Sequence, residues 1–121
     1  MNIYEKLSAI QNELKAPKSQ YNSFSNYNYR SCEDILEAVK PICQKYKATL
    51  ILGDDIEEIG GKNYVKAMAS LVDLEKEESF VVASAYAREQ DVLKGMTEAQ
   101  ITGATSSYAR KYALNRIIQY R

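Results

Sequence analysis

The stretch Tyr64-Val65-Lys66-Ala67-Met68-Ala69-Ser70-Leu71-Val72-Asp73-Leu74 decides the fold. Its residues alternate between two faces with the period of a β-strand. Ahead of it, Gly60-Gly61 is a tight-turn signal and residues 49–52 are apolar and β-prone, so the region reads as a hairpin. Beyond it, after the charged turn at residues 75–78, residues 80–88 alternate again. Ala83, Ala85 and Ala87 share one face there, and Val82, Ser84 and Tyr86 the other. Three consecutive antiparallel strands result. Ala67, Ala69, Ala83 and Ala85 leave room for a helix to approach the sheet closely, and the natural candidate follows Thr97.

That helix opens with Thr97 as N-cap and Gln100 at the capping-box position. At 100° per residue, Ile101, Ala104, Thr105, Tyr108 and Tyr112 share a stripe that is expected to pack on the sheet. Gly103, Ser107, Arg110 and Leu114 lie opposite, with Lys111 at the edge. Small residues, hydroxyls and two cations make a surface that a phosphate backbone can approach closely. A helix–helix contact between subunits would use small residues equally well.

On the other side of the hairpin, Asn2 and Glu5 form a capping signal for a helix over residues 2–16, with Ile3, Leu7, Ile10 and Leu14 on one face. Pro17 closes it. Residues 18–28 read as a polar loop leading into a short strand near residues 27–30. Ser31, Glu33 and Asp34 signal a second helix over about 32–46, with Ile35, Ala38, Val39, Ile42 and Tyr46 at helical spacing. Pro41 is expected to bend that helix or end its regular part. The whole is an α+β fold: N-terminal helices, a three-stranded antiparallel β-meander and a final helix.

The 121 residues suit one domain. Sixteen basic and sixteen acidic residues cancel, yet residues 92–121 carry Lys94, Arg110, Lys111, Arg116 and Arg121 against Glu98 alone, a net of +4, leaving −4 on the rest. Only this uneven distribution argues for a nucleic-acid partner. There is no histidine, which removes the usual general base and the commonest zinc ligand. Ten tyrosines and two phenylalanines without tryptophan suit half-buried sheet positions and base stacking alike. Cys32 and Cys43 lie 11 residues apart, roughly 16 Å on one helix, too far for a disulfide. Reduced thiols, with no apolar signal-peptide region in the first 20 residues and no membrane span, lead to the expectation of a cytoplasmic protein.

Two stretches resemble the ERF (essential recombination function) family of phage single-strand annealing proteins: residues 27–41, Tyr-Asn-Tyr-Arg-Ser-Cys-Glu-Asp-Ile-Leu-Glu-Ala-Val-Lys-Pro, and residues 95–115. Residues 2–115 follow the order of the family's N-terminal domain. Residues 116–121 depart from it, and the family's C-terminal tail is absent, as in a truncated chain or a short relative. The resemblance implies ATP-independent binding and annealing of single-stranded DNA in recombination and repair within a bacterial host. It also implies no catalysis, no cofactor and a ring or filament of identical subunits; contacts with a host single-strand-binding protein as partner belong to the family's tail and do not carry over to this chain. The implied fold is similar to the eukaryotic ring-forming strand-annealing proteins, whose adjacent basic residues on the helix after the meander correspond by position to Arg110 and Lys111.

On this reading Arg110 and Lys111 hold phosphates, helped by Arg30, Lys62, Lys94 and Arg116, with Tyr27 and Tyr29 as stacking platforms or core residues. Alternatives stay open. Arg110 and Lys111 could instead lie on a solvated face or form a subunit salt bridge to the acidic stretch Asp54, Asp55, Glu57 and Glu58, and Arg30 could pair with Glu33 or Asp34. The acidic stretch could bind Mg²⁺ in a nuclease, but strand alternation would put Asp55 and Glu57 on one side and Asp54 and Glu58 on the other, so a solvated acidic turn fits better. A non-catalytic module binding a host factor through residues 20–29 is the remaining reading.

Overall fold

A computed structural model describes residues 1–14, 20–22, 27–29, 32–89, 95 and 97–118, the two short segments by backbone only. The elements are α1 (Ile3–Glu13), β1 (Gln20–Asn22), β2 (Tyr27–Tyr29), α2 (Cys32–Lys45), β3 (Ala48–Ile59), β4 (Lys62–Asp73), β5 (Phe80–Arg88) and α3 (Glu98–Ile118). β1 and β2 pair antiparallel as a separate ribbon, of which only the second strand was expected. β3, β4 and β5 form the antiparallel meander in sequence order.

The meander follows from its turn and its alternation. Ile59 pairs with Lys62, leaving Gly60 and Gly61 as a two-residue loop with φ of +60° and +77°. Two consecutive positive φ values define the type I′ turn, whose twist matches the strands it joins. Along β4, Val65, Ala67, Ala69, Leu71 and Asp73 are buried. Register sets Leu52 and Ala83 beside Ala69, and Asp54 and Ala85 beside Ala67, so this face receives the helices. On the opposite face Ile51, Phe80, Val82 and Tyr86 stay exposed. The acidic stretch is part of β3 rather than a turn, because the hairpin pairing runs unbroken from Ala48 to Ile59.

The helices form as their caps dictate. Asn2 and Glu5 exchange side-chain to backbone hydrogen bonds of 2.9 and 3.0 Å, and Thr97 and Gln100 do the same at 3.2 and 2.8 Å. α2 runs through Pro41, which lacks the N–H that would reach back one turn; burial of Ile35, Val39 and Cys43 on either side carries the helix past it. Ile3, Ile10, Ile35, Val39, Leu71, Leu114, Ile117 and Ile118 join the sheet alanines in one core. Fully burying each such aliphatic side chain stabilises by about 1.5–3 kcal/mol.

Lys6 on α1 is buried at 1% exposure. Its Nζ donates to Asp73 Oδ1 at 2.7 Å, Glu75 Oε1 at 2.8 Å and the Lys47 carbonyl at 3.1 Å. Three acceptors match the three donors of an ammonium, so the buried charge is fully met. Burial alone would lower its pKa, but the two carboxylates raise it overall. Lys6 holds Asp73 below the ordinary carboxylate range, helped by the Glu75 N–H, and lowers Glu75 likewise. The sequence reading missed this clamp, since Lys6 lies beside the apolar stripe and looks like a surface charge.

Candidate nucleic-acid interface

α3 packs on the meander through the wrong side for its tyrosines. Ile101 is buried as expected, but the rest of the stripe is Ala109, Ala113, Leu114, Ile117 and Ile118. Tyr108 is 58% exposed and Tyr112 45%. The contact face is turned by nearly half a circle from the expected one. The cause is the sheet: Ala67, Ala69 and Ala85 are flat, and a helix presenting Ala109 and Ala113 to them approaches more closely than one presenting tyrosine rings. Van der Waals contact is then gained over the whole interface.

This rotation separates the two expected phosphate grips. Adjacent helix residues diverge by about 100°, so Arg110 leans toward β3 while Lys111 turns toward the outer face. Arg110 Nε donates to Asp54 Oδ2 at 3.2 Å, and the Ser106 hydroxyl donates to the same oxygen. The Ser106 hydrogen bond first, and then Arg110, hold Asp54 below the usual carboxylate range against partial desolvation. Arg110 thus makes an ion pair within its own chain, with 41% of its side chain still exposed. Its charge also reaches the buried Cys32 at the start of α2, where it offsets part of the rise that burial and Glu33 impose on the thiol.

Arg116, in the last turn of α3, donates from Nη1 to the Ser84 carbonyl at 2.7 Å and remains exposed. A neutral acceptor leaves the guanidinium charge uncompensated. Six residues on a helix place it about 9 Å along the axis from Arg110. Lys62 lies at the hairpin tip, five residues along β4 from Ala67, the partner of Asp54, a span of about 17 Å. Alternation puts Lys62 on the face of Lys66, away from α3. The structure therefore places Arg110 on the β3 side of α3 and Arg116 on the β5 side, with Lys62 apart from both. Arg30 and Lys94, and the side chains of Tyr27 and Tyr29, lie outside the described residues.

The outer half of α3 presents Ala104, Tyr108, Tyr112, Asn115 and Arg116, all exposed. The two tyrosine rings lie 4.8 Å apart at 55°, and their hydroxyls are 3.2 Å apart. The sequence carried a signal for this exposed pair: four-residue spacing of Ile101, Ala109, Ala113 and Ile117 marks the buried side, once alanine is allowed as a core residue against an alanine sheet. On the free sheet face Lys66 lies 5.7 Å over the Tyr86 ring and 4.0 Å from Glu57. Among the described residues no cluster of three or more His, Cys, Asp or Glu could hold a metal ion. Nor is any described helix long and apolar enough to cross a membrane.

A three-stranded meander backed by a capped helix whose outer half is aromatic and cationic defines a small α+β domain, the fold class anticipated from the sequence. The chain belongs to the ERF superfamily, whose model matches residues 3–119. It is 56% identical over 113 residues to the "Essential recombination function protein" of Salmonella phage P22, an alignment that covers 93% of this chain and 53% of that protein. The chain thus spans about half the length of that curated relative. No solved structure matches it.

Proposed function

We propose that this domain binds single-stranded DNA without sequence preference and pairs complementary strands, without ATP or catalysis, in phage recombination. The observation that supports it best is the outer half of α3 in a chain of this family: Lys111 and Arg116 around an exposed tyrosine pair, with no carboxylate on the helix after Glu98. Annealing requires each strand to be held by its backbone so that bases stay free to test complementarity. Cations that ignore sequence meet that need, and affinity then falls steeply with salt. One small domain covers few nucleotides, so we infer a homo-oligomer, ring or filament, that repeats a weak contact along the strand.

The test is fluorescence anisotropy with a labelled single-stranded oligonucleotide, together with an annealing assay on complementary strands. Each phosphate contact contributes a slope of about −0.7 in log K against log salt. Replacing Arg110 and Lys111 together by alanine is expected to flatten the slope by about 0.7, the share of Lys111, since Arg110 is held by Asp54, and to slow annealing. Unchanged affinity and slope with an intact fold would reject the assignment. Electron micrographs with DNA showing neither rings nor filaments would reject the oligomer.

A further inference from the structure

The tyrosine pair on α3 stands half in solvent. Large aromatic side chains ordinarily bury most of their surface, yet Tyr108 and Tyr112 leave 58% and 45% of theirs in solvent. They are nonetheless organised: one helical turn apart, ring centroids 4.8 Å apart, and hydroxyls joined at 3.2 Å. Rings already braced against each other lose little rotamer freedom when a ligand arrives. One turn earlier the floor is low. Ala104, four residues before Tyr108, is exposed and carries only a methyl group.

Charge selects the occupant. Lys111 and Arg116 flank the pair, and the helix carries no acid beyond Glu98. A second copy packing this same face symmetrically would bring like charges together, whereas a polyanion with flat, unpaired rings satisfies both features. We propose that Tyr108 and Tyr112 form a stacking platform for a nucleobase of single-stranded DNA, with Lys111 and Arg116 meeting the flanking phosphates. This rests on the single-strand reading above and adds a base contact to a grip otherwise confined to the backbone.

The experiment uses the 121-residue chain, a labelled 20-mer of thymidylate and a 20-mer of the same backbone with abasic sites throughout. Stacking of one base predicts that the wild type binds the thymidylate strand about 5- to 100-fold more tightly than the abasic one. Tyr108→Ala/Tyr112→Ala is expected to erase that preference while leaving the salt slope unchanged, and Tyr108→Phe/Tyr112→Phe to retain it. A preference that persists in the alanine variant, or is missing from the wild type, overturns the platform while leaving single-strand binding standing. Failure of the wild type to bind either strand at low salt overturns the binding reading and the platform with it. If light scattering shows that the alanine variant changes subunit number, the tyrosines are a subunit contact and the platform falls.

Discussion

Asp54→Asn should make the domain bind single-stranded DNA more tightly. Arg110 is the cation that the family resemblance marks first, yet it is joined to Asp54 at 3.2 Å, so its charge is largely offset in the free protein. Removing the carboxylate charge releases up to one phosphate contact. With a slope of about 0.7 per contact, the decade between 1 M and 0.1 M salt makes that contact worth about fivefold at 0.1 M, or about 1 kcal/mol. The fold should tolerate the change: the Arg110 side chain is 41% exposed and that of Asp54 27%, a screened pair whose contribution is below about 1 kcal/mol. The substituted amide also keeps an oxygen for the Ser106 hydroxyl. Asp55→Asn is the control, because it removes the same charge one residue away on the opposite sheet face. Anisotropy across a salt series should show Asp54→Asn about fivefold tighter at 0.1 M with a slope steeper by about 0.7, and Asp55→Asn nearly unchanged. Equal effects of the two substitutions, or an unaltered slope for Asp54→Asn, would refute the idea that Asp54 restrains a DNA-binding arginine.

Leu114→Ala removes a side chain with no exposure from the junction of α3 with the core, and urea titration should show a loss of about 2–5 kcal/mol. Lys6→Met strands the buried Asp73 with only the Glu75 N–H, so it should lower the melting temperature, and adding Asp73→Leu should recover part of the loss. Asp54, Asp73, Glu75 and Glu13 all titrate below their ordinary values when folded, so the unfolded chain takes up protons first as pH falls. Their contribution is complete above the ordinary carboxylate range and is lost below about pH 4, while Lys6 and Lys45, both raised, lose theirs only above about pH 10.5. A calorimetric series should therefore give a flat melting temperature from about pH 6 to 8, a fall on the acid side, and a fall above about pH 9 as the thiols of Cys32 and Cys43, both raised by burial, ionise first in the unfolded chain.

The meander was legible because each of its signals is local: a Gly-Gly turn, strict alternation over residues 64–74 and again over 80–88, and capping pairs at Asn2/Glu5 and Thr97/Gln100. The alanine columns even announced where a helix would lie. What failed was the choice of helix face, where tyrosine was given preference over alanine as a core residue. Burial is decided by the facing surface, and a flat alanine sheet rewards a flat partner. Long-range pairings were illegible for a different reason. Arg110 with Asp54 spans 56 residues and Lys6 with Asp73 spans 67, and nothing in the spacing of charges along a chain says which of sixteen acids a given cation will meet.

The restraint on Arg110 fits the task proposed for the domain. With Arg110 held back by Asp54, Lys111 and Arg116 at about 0.7 decade each amount to about 1.4 decades of affinity at 0.1 M salt, a weak hold for one domain. Repetition along an oligomer makes the total strong while each contact stays quick to break. Fast local release matters, because a strand must shift and re-test its register before it commits to a complement. Asp54 weakens the contact and competes for Arg110 whenever a phosphate leaves, which shortens each local encounter. Asp54→Asn should consequently separate two quantities that would otherwise rise together: affinity for a single strand increases, while the rate of annealing two long complementary strands, followed by quenching of a fluorophore pair at saturating protein, decreases. Should both increase, the Asp54–Arg110 pair serves the stability of the α3–β3 contact and has no part in strand exchange.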